Sequence, residues 1–250
     1  MIPIRDDNPH FITPVVTIAL IVINVFVWLS YQGFGADPRL SASICQLGFI
    51  PVELFGGTVS GPVACPPQPG PGWPMMVSSM FMHGGWMHIA GNMWFLWIFG
   101  NNVEDSMGHF RFAVFYIICG LAAAALQALA NPASGIPMVG ASGAIGGVMG
   151  AYLVLYPRVH VHLFFYFTTI AVPAMLMLGY WLAIQLLGGF GSSSSGGGTA
   201  FWAHVGGFIA GAALIFVFKD KKLLERHPYY GWRKQQLPTQ NWQSTRQRRF

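Results

Sequence analysis

The chain has 250 residues, of which 54% are hydrophobic and only 8% charged, with a formal net charge of +5. That charged fraction is about a third of what a soluble globular domain carries, which excludes an ordinary water-soluble enzyme and leaves a chain whose main solvent is lipid. The pattern reads as one polytopic domain over residues 12–218, with a short N-terminus over 1–11 and a basic tail over 219–250.

The first apolar run, 12–31, is too long for a secretory signal. Asp6 and Asp7 lie beside Arg5 on its flank and no small-residue cleavage site follows directly, so it reads as a retained span. Residues 32–83 then form a long loop rich in Pro and Gly. Its apolar stretch, Leu47 to Phe55, is expected to dip into the membrane interface. Cys45 and Cys65 in this loop read equally well as a pair, if the loop faces an oxidising compartment, or as free thiols. Five more spans are expected over 84–100, 110–130, 141–156, 163–187 and 200–218. Cys119 falls within one of them and reads as a small packing residue. Pro14, Pro137 and Pro157 sit at span edges, whereas Pro173 lies inside the fifth span and is expected to kink it. Gly188 to Thr199 is nearly all Gly and Ser and is expected to be mobile.

Of 13 Lys and Arg, nine follow residue 218: Lys219, Lys221, Lys222, Arg226, Arg233, Lys234, Arg246, Arg248 and Arg249. Positive-inside bias places this end in the cytoplasm, and an even number of spans puts the N-terminus there too. Arg111 and Arg158 then flank internal loops, and Arg39 alone is external. The tail has no folded nucleic-acid motif and reads as a topology determinant resting on anionic headgroups.

Polar side chains inside a bilayer are costly, so each needs a reason. Ser142, in Gly140-Ala141-Ser142-Gly143, taken alone reads as a small residue packed between helices. Its place at the first turn of the fourth span, however, sets it beside backbone N–H groups without intrahelical partners, which can hold a developing oxyanion. Gly146 and Gly150 continue its face and allow close approach of another helix. His204 opens the sixth span, with Gly207 and Gly211 on its own face. The second, fourth and sixth spans run in the same direction, so Ser142 and His204 share a shallow depth on the external side. His88 and Asn92, four residues apart on the second span, share it too and are suitable oxyanion donors, with interhelical hydrogen bonding as the competing reading. His83 falls off that face and reads as a brace for the external loop.

The His83 and His88 spacing is not that of a helical zinc pair and no Glu is nearby, so neither a metal nor another cofactor is implied. None of the eight Asp and Glu falls within an expected span, and Glu104 and Asp105 stand at the cytoplasmic end of the second. With no acid at the right depth to orient a histidine, a Ser–His dyad is what remains.

These residues carry a resemblance. His83, His88 and Asn92 in His-x4-His-x3-Asn, then Gly140-Ala141-Ser142-Gly143, then His204 leading His-x-x-Gly-x-x-x-Gly through Gly207 and Gly211 resemble, in that order, the motifs of bacterial-type rhomboid proteases over roughly 12–218. Gly100-Asn101-Asn102-Val103-Glu104, followed by Gly108, is similar to the family's second-to-third loop, where such residues are structural. The resemblance implies an all-α membrane protein built as a six-transmembrane-helix bundle. It implies cleavage of transmembrane protein substrates within the lipid bilayer, near its external face, at small residues with helix-destabilising neighbours. Ser142 would be the nucleophile, His204 the base, and His88, Asn92 and the Ser142 backbone N–H the oxyanion hole. The expected location is a bacterial inner membrane, multi-pass, with no nucleic-acid partner. Two features depart from some members: Gly146 stands where they place a tyrosine against the histidine, and the first loop has no Trp-Arg pair. The competing classes are a non-proteolytic rhomboid-like binder, which typically lacks the serine or histidine, and a small-solute transporter, against which stands the absence of any midspan acid.

Overall fold

The computed structural model describes residues 2–58, 65–66, 72–191 and 199–230. Strand β1 (Ile2–Asp6) precedes α1 (Val15–Phe26), which continues through a π-helical turn at Val27–Tyr31. Short helices α2 (Arg39–Leu47), α3 (Pro51–Leu54) and α4 (Met75–Ser78) follow, then the long helices α5 (Trp86–Met107) and α6 (His109–Ala130), and then α7 (Ser142–Leu155). A hairpin of β2 (His160–Phe165) and β3 (Thr168–Pro173) leads into α8 (Ala174–Gly191), α9 (Phe201–Phe218) and the short α10 (Lys221–Leu224). The chain is mostly helical. Helices α6, α8 and α9 are long and apolar enough to cross a membrane, and Val15–Tyr31 and α7 are shorter apolar helices. Helix α5 has 22 residues, as α6 does, but interrupts its apolar surface with His88, Asn92, Asn101, Asn102, Glu104 and Asp105.

Helices α6, α7 and α9 agree with the apolar runs expected at 110–130, 141–156 and 200–218 to within one residue at each end. The fifth run does not. Residues 163–173 belong to a three-stranded antiparallel sheet of order β1–β2–β3, so the bundle is not purely α-helical and the fifth helix begins only at Ala174. The cause is a period of two: Val161 and Leu163 are buried while His160 and Phe164 are exposed, and β3 is rich in β-branched residues that suit a pleated strand. Val161 pairs with Val172 on one side and with Asp6 on the other. Pro173 therefore closes an edge strand, where a missing donor is tolerated, instead of kinking a helix. Helix α5 also runs past residue 100 to Met107, which places Glu104 and Asp105 inside its last turns, where both are buried.

In the first loop, Cys45 and Cys65 form a disulfide. Phe49 and Ile50 are buried in the protein, with Phe49 exchanging backbone hydrogen bonds with Met138 and packing on Ala124 and Ala128, while Phe55 is exposed. Of the Gly/Ser loop, residues 192–198 lie outside the described residues, as do Arg233, Lys234, Arg246, Arg248 and Arg249 of the tail.

Two features fix the helices that carry the site. Helices α7 and α9 cross backbone to backbone: a Cβ added to Gly207 would overlap the Gly143 carbonyl oxygen, and one on Gly211 the Gly147 carbonyl oxygen. At the opposite end from Ser142, the carboxylates closing α5 cap α1, whose flanking Pro14 offers no side-chain cap. Glu104 accepts from the Val16 and Thr17 backbone N–H groups at 2.9 and 2.8 Å and from the Thr17 hydroxyl at 2.7 Å. Asp105 accepts from the Phe11 and Ile12 N–H groups at 2.6 and 3.0 Å and pairs with His227 at 3.0 Å. Negative charge at a helix start complements the unsatisfied donors there, so α1 is tied to α5 by charge-assisted bonds.

Asp6, at the end of β1, accepts hydrogen bonds from the Tyr152 hydroxyl and from Asn102 Nδ2, the latter at 3.0 Å. Burial pushes its carboxyl up from 3.8 to about 7, assisted by the neighbouring charge of Asp7 and opposed by the Tyr152 bond. The fold therefore favours the neutral acid. Its contribution is complete below the unfolded value of 3.8 and is lost as the pH rises to about 7. Asp6→Asn is expected to flatten the fall in Tm between those limits and to raise Tm at pH ~8, measured against wild type in detergent. Superimposable pH profiles of the two proteins would contradict the burial argument.

Candidate active site

Ser142 is the first residue of α7, reached through a segment held from both sides. Met138 is bridged to Phe49, and the Gly140 N–H donates to the Ser79 carbonyl at 2.8 Å. Gly140 has φ +123°, and a Cβ there would come within 2.6 Å of His88 Nε2, so conformation and space both require glycine. His204 lies in the first turn of α9. The start of that helix is fixed to α6 by the Ala203 N–H, which donates to Gln127 Oε1 at 3.2 Å.

The close α7–α9 crossing brings Ser142 Oγ to 2.8 Å from His204 Nε2. On its other side, His204 Nδ1 lies 2.7 Å from Oε1 of Gln185 on α8. An amide oxygen can only accept, so Nδ1 carries the proton and Nε2 is the lone-pair nitrogen that takes the serine's hydrogen bond. Trp181, one turn earlier on α8, lies with its ring centroid 5.7 Å from that of His204 at 39°. Gly146 meets the His204 backbone, where a Cβ would be 3.0 Å from the carbonyl oxygen. The aromatic contact on the histidine thus comes from α8 and not from α7.

His88 and Asn92 are on the face of α5 turned towards Gly140. His88 Nδ1 accepts from the Gly84 N–H at 3.3 Å, which leaves Nε2 as the protonated, donating nitrogen. Asn92 Nδ2 is buried and has no hydrogen-bond partner among the described residues. His83 is fully buried behind them, and its backbone N–H and carbonyl bond the Gln32 side chain at 2.8 Å each, tying the loop before α5 to the end of the first helical segment. A cavity of about 550 Å³ opens over the group, lined by His88, Asn92, Gly140, Ser142, Trp181 and His204 among others.

Ser142, His204, His88, Asn92, Gly140 and Gly143, which the sequence singles out, therefore lie together, with Gly146, Gly207 and Gly211 at the helix crossing beneath them and Glu104 at the far end of α5. Gln185, Trp181 and Gln127 are additions. A polar amide inside an apolar run was the available signal for Gln185, since it demands a partner. Chemically, the arrangement supplies a hydroxyl bonded to a neutral imidazole and a pair of N–H donors facing one cavity, the requirements of acyl transfer through a serine nucleophile.

A membrane helix bundle with a hydrogen-bonded Ser–His pair is the class this geometry defines. Residues 71–221 match the Rhomboid domain, and the chain belongs to the rhomboid family. It is similar to RHOMBOID-like protein 5 of Arabidopsis thaliana, 31% identical over 63% of this chain and 46% of that protein. It is similar also to the rhomboid protease GluP of Bacillus subtilis, 33% identical over 57% of this chain and 26% of the relative, and to rhomboid-like protease 5 of Toxoplasma gondii, 33% identical over 57% and 16%. The chain spans less than half the length of these relatives.

Proposed function

We propose that this chain is an intramembrane serine endopeptidase that hydrolyses transmembrane segments of membrane proteins. Ser142 attacks the scissile carbonyl while His204 Nε2 takes its proton and returns it to the leaving amine; a water that gives its proton to the same nitrogen then attacks the acyl group and restores the Ser142 hydroxyl, and in both steps the oxyanion is held by His88 Nε2–H, Asn92 Nδ2–H and the Ser142 backbone N–H. The observation that carries the reading is the 2.8 Å contact between Ser142 Oγ and His204 Nε2 in the lining of a cavity that also receives the Asn92 amide donor, which has no partner among the described residues. Two of the relatives bear the name protease.

In this proposal α1 with its π-helical turn, α5, α6, α7, α8 and α9 are six spans, with both termini cytoplasmic in a bacterial inner membrane and the cavity opening externally. Positive charge after α9, including Lys219, Lys221 and Lys222, supports that orientation. The site lies at the starts of three parallel-running helices, at a depth water can reach. Substrate helices must unwind locally, because intrahelical hydrogen bonds shield their carbonyls.

The test is cleavage of a single-span protein co-reconstituted in liposomes, with the cut located by mass spectrometry. Products cut near one membrane face are expected, whereas an intact substrate across varied sequences would favour the non-proteolytic binder. Asn92→Ala is expected to lower kcat about 100-fold with KM nearly unchanged, because its donor acts on charge that appears only in the transition state. An equal effect on KM would assign Asn92 to substrate binding instead.

A further inference from the structure

We infer that Gln185 is the positioning residue for the catalytic histidine, so that the site works as a hydrogen-bonded Ser142–His204–Gln185 triad and not as an unsupported dyad. The inference rests on the serine–histidine reading above. Gln185 is 7% exposed and carries the one amide side chain of α8, whose outward residues Leu176, Tyr180, Ile184 and Leu187 are all exposed. Burying an amide against an apolar helix is unfavourable unless its polar atoms are paired. Both are: Oε1 accepts from His204 Nδ1 at 2.7 Å, and Nε2 donates to the Trp181 carbonyl one turn back at 3.4 Å. The second bond fixes which end of the amide faces the histidine.

The chemical consequence concerns the tautomer. A neutral imidazole with its proton on Nε2 cannot accept from Ser142 at that nitrogen, and one free to rotate is aligned to accept only part of the time. An acceptor fixed at Nδ1 excludes that form and holds the ring in line with the serine, as the aspartate of soluble serine proteases does. When Ser142 transfers its proton, the amide oxygen continues to accept from Nδ1–H of the imidazolium, with no further proton moved. A neutral oxygen stabilises that cation less than a carboxylate would, so a moderate effect is expected. Trp181 packs against the same ring at a tilt of 39°, so α8 supplies both contacts on the histidine, neither of which Gly146 can make.

Gln185→Met keeps the side-chain length and removes the acceptor, and Gln185→Glu restores an acceptor in the same place. In the liposome cleavage assay, Q185M is expected to lower kcat about tenfold with KM within about twofold, and Q185E to recover most of that loss. In a His204→Ala background, Q185M is expected to cause no further change in the residual rate, since the residue acts through the histidine. Gln185→Asn, which keeps the amide but withdraws its oxygen by one methylene, is expected to reproduce the kcat loss and serves if Q185M does not fold. Wild-type kcat in a folded Q185M or Q185N, or an equal loss with and without His204, would overturn the assignment of Gln185. A wild-type protein without Ser142-dependent hydrolysis would overturn the serine–histidine reading itself, and the inference with it.

Discussion

Ser142→Ala is expected to reduce cleavage of a reconstituted transmembrane substrate by about 10⁴-fold or more, while leaving stability within about 1 kcal/mol of wild type. The two halves of this expectation have different origins. Among the described residues the hydroxyl makes one hydrogen bond, to His204 Nε2, and its removal leaves the glycine crossing of α7 and α9 untouched. In the proposed mechanism, by contrast, the first attack on the substrate is made by Oγ, and without it no acyl-enzyme forms. What remains is the contribution of the oxyanion donors and of binding, which persists when a serine protease loses its nucleophile. His204→Ala is expected to lose about as much, and the double variant no more than either, because the two residues act as a unit. Rates and thermal transitions measured on the same preparations check this. A large loss of stability in S142A would reassign the residue to packing.

Gly207→Ala is expected to have the largest effect on the fold. Its Cβ would overlap the carbonyl oxygen of Gly143, which is backbone, so no side chain can rotate aside and the helix axes must separate. Overpacking against backbone at the centre of a bundle is expected to cost about 3 kcal/mol or more. Separation of α7 from α9 also draws His204 away from Ser142, so activity is expected to fall with stability. Gly179→Ala on α8 is the control, because a Cβ there meets nothing within 4 Å, and it is expected to be neutral or slightly stabilising. Chemical-denaturant or thermal unfolding in detergent measures both. Equal stability of G207A and wild type would contradict the close crossing.

Much of the site was legible because its residues obey a depth rule. Ser142, His204, His88 and Asn92 each stand near the start of a helix, and all these helices run the same way, so sequence position alone places them at one level. The glycines beside them were legible for a related reason, since a small residue every four positions marks a face that another backbone approaches, although Gly147, which also meets α9, stands outside the series of Ser142, Gly146 and Gly150. Gln185 lies inside the expected span 163–187 as it does inside α8, and its amide shows there that a partner is needed without showing which one. An almost uniformly apolar helix gives no periodic signal of which side meets its neighbours, so the direction of Gln185 is fixed only by tertiary packing. The sheet was hidden by composition: residues 163–173 are apolar enough for a span, and only the alternation at Val161 and Leu163 and the β-branched run in β3 reveal strands. Likewise, no spacing rule joins Cys45 to Cys65 or sends Glu104 to the start of α1. Those partners are set by how α1 and the first loop pack on α5 and α6.

The most direct test of the serine–histidine unit is intact-mass analysis after exposure of the folded protein to a fluorophosphonate, which reacts with a serine only when its hydroxyl is activated as a nucleophile. A single adduct is expected, mapped by peptide sequencing to Ser142 and absent from His204→Ala. An adduct on another residue, labelling undiminished in H204A, or no labelling in a preparation with an accessible cavity would contradict the assignment.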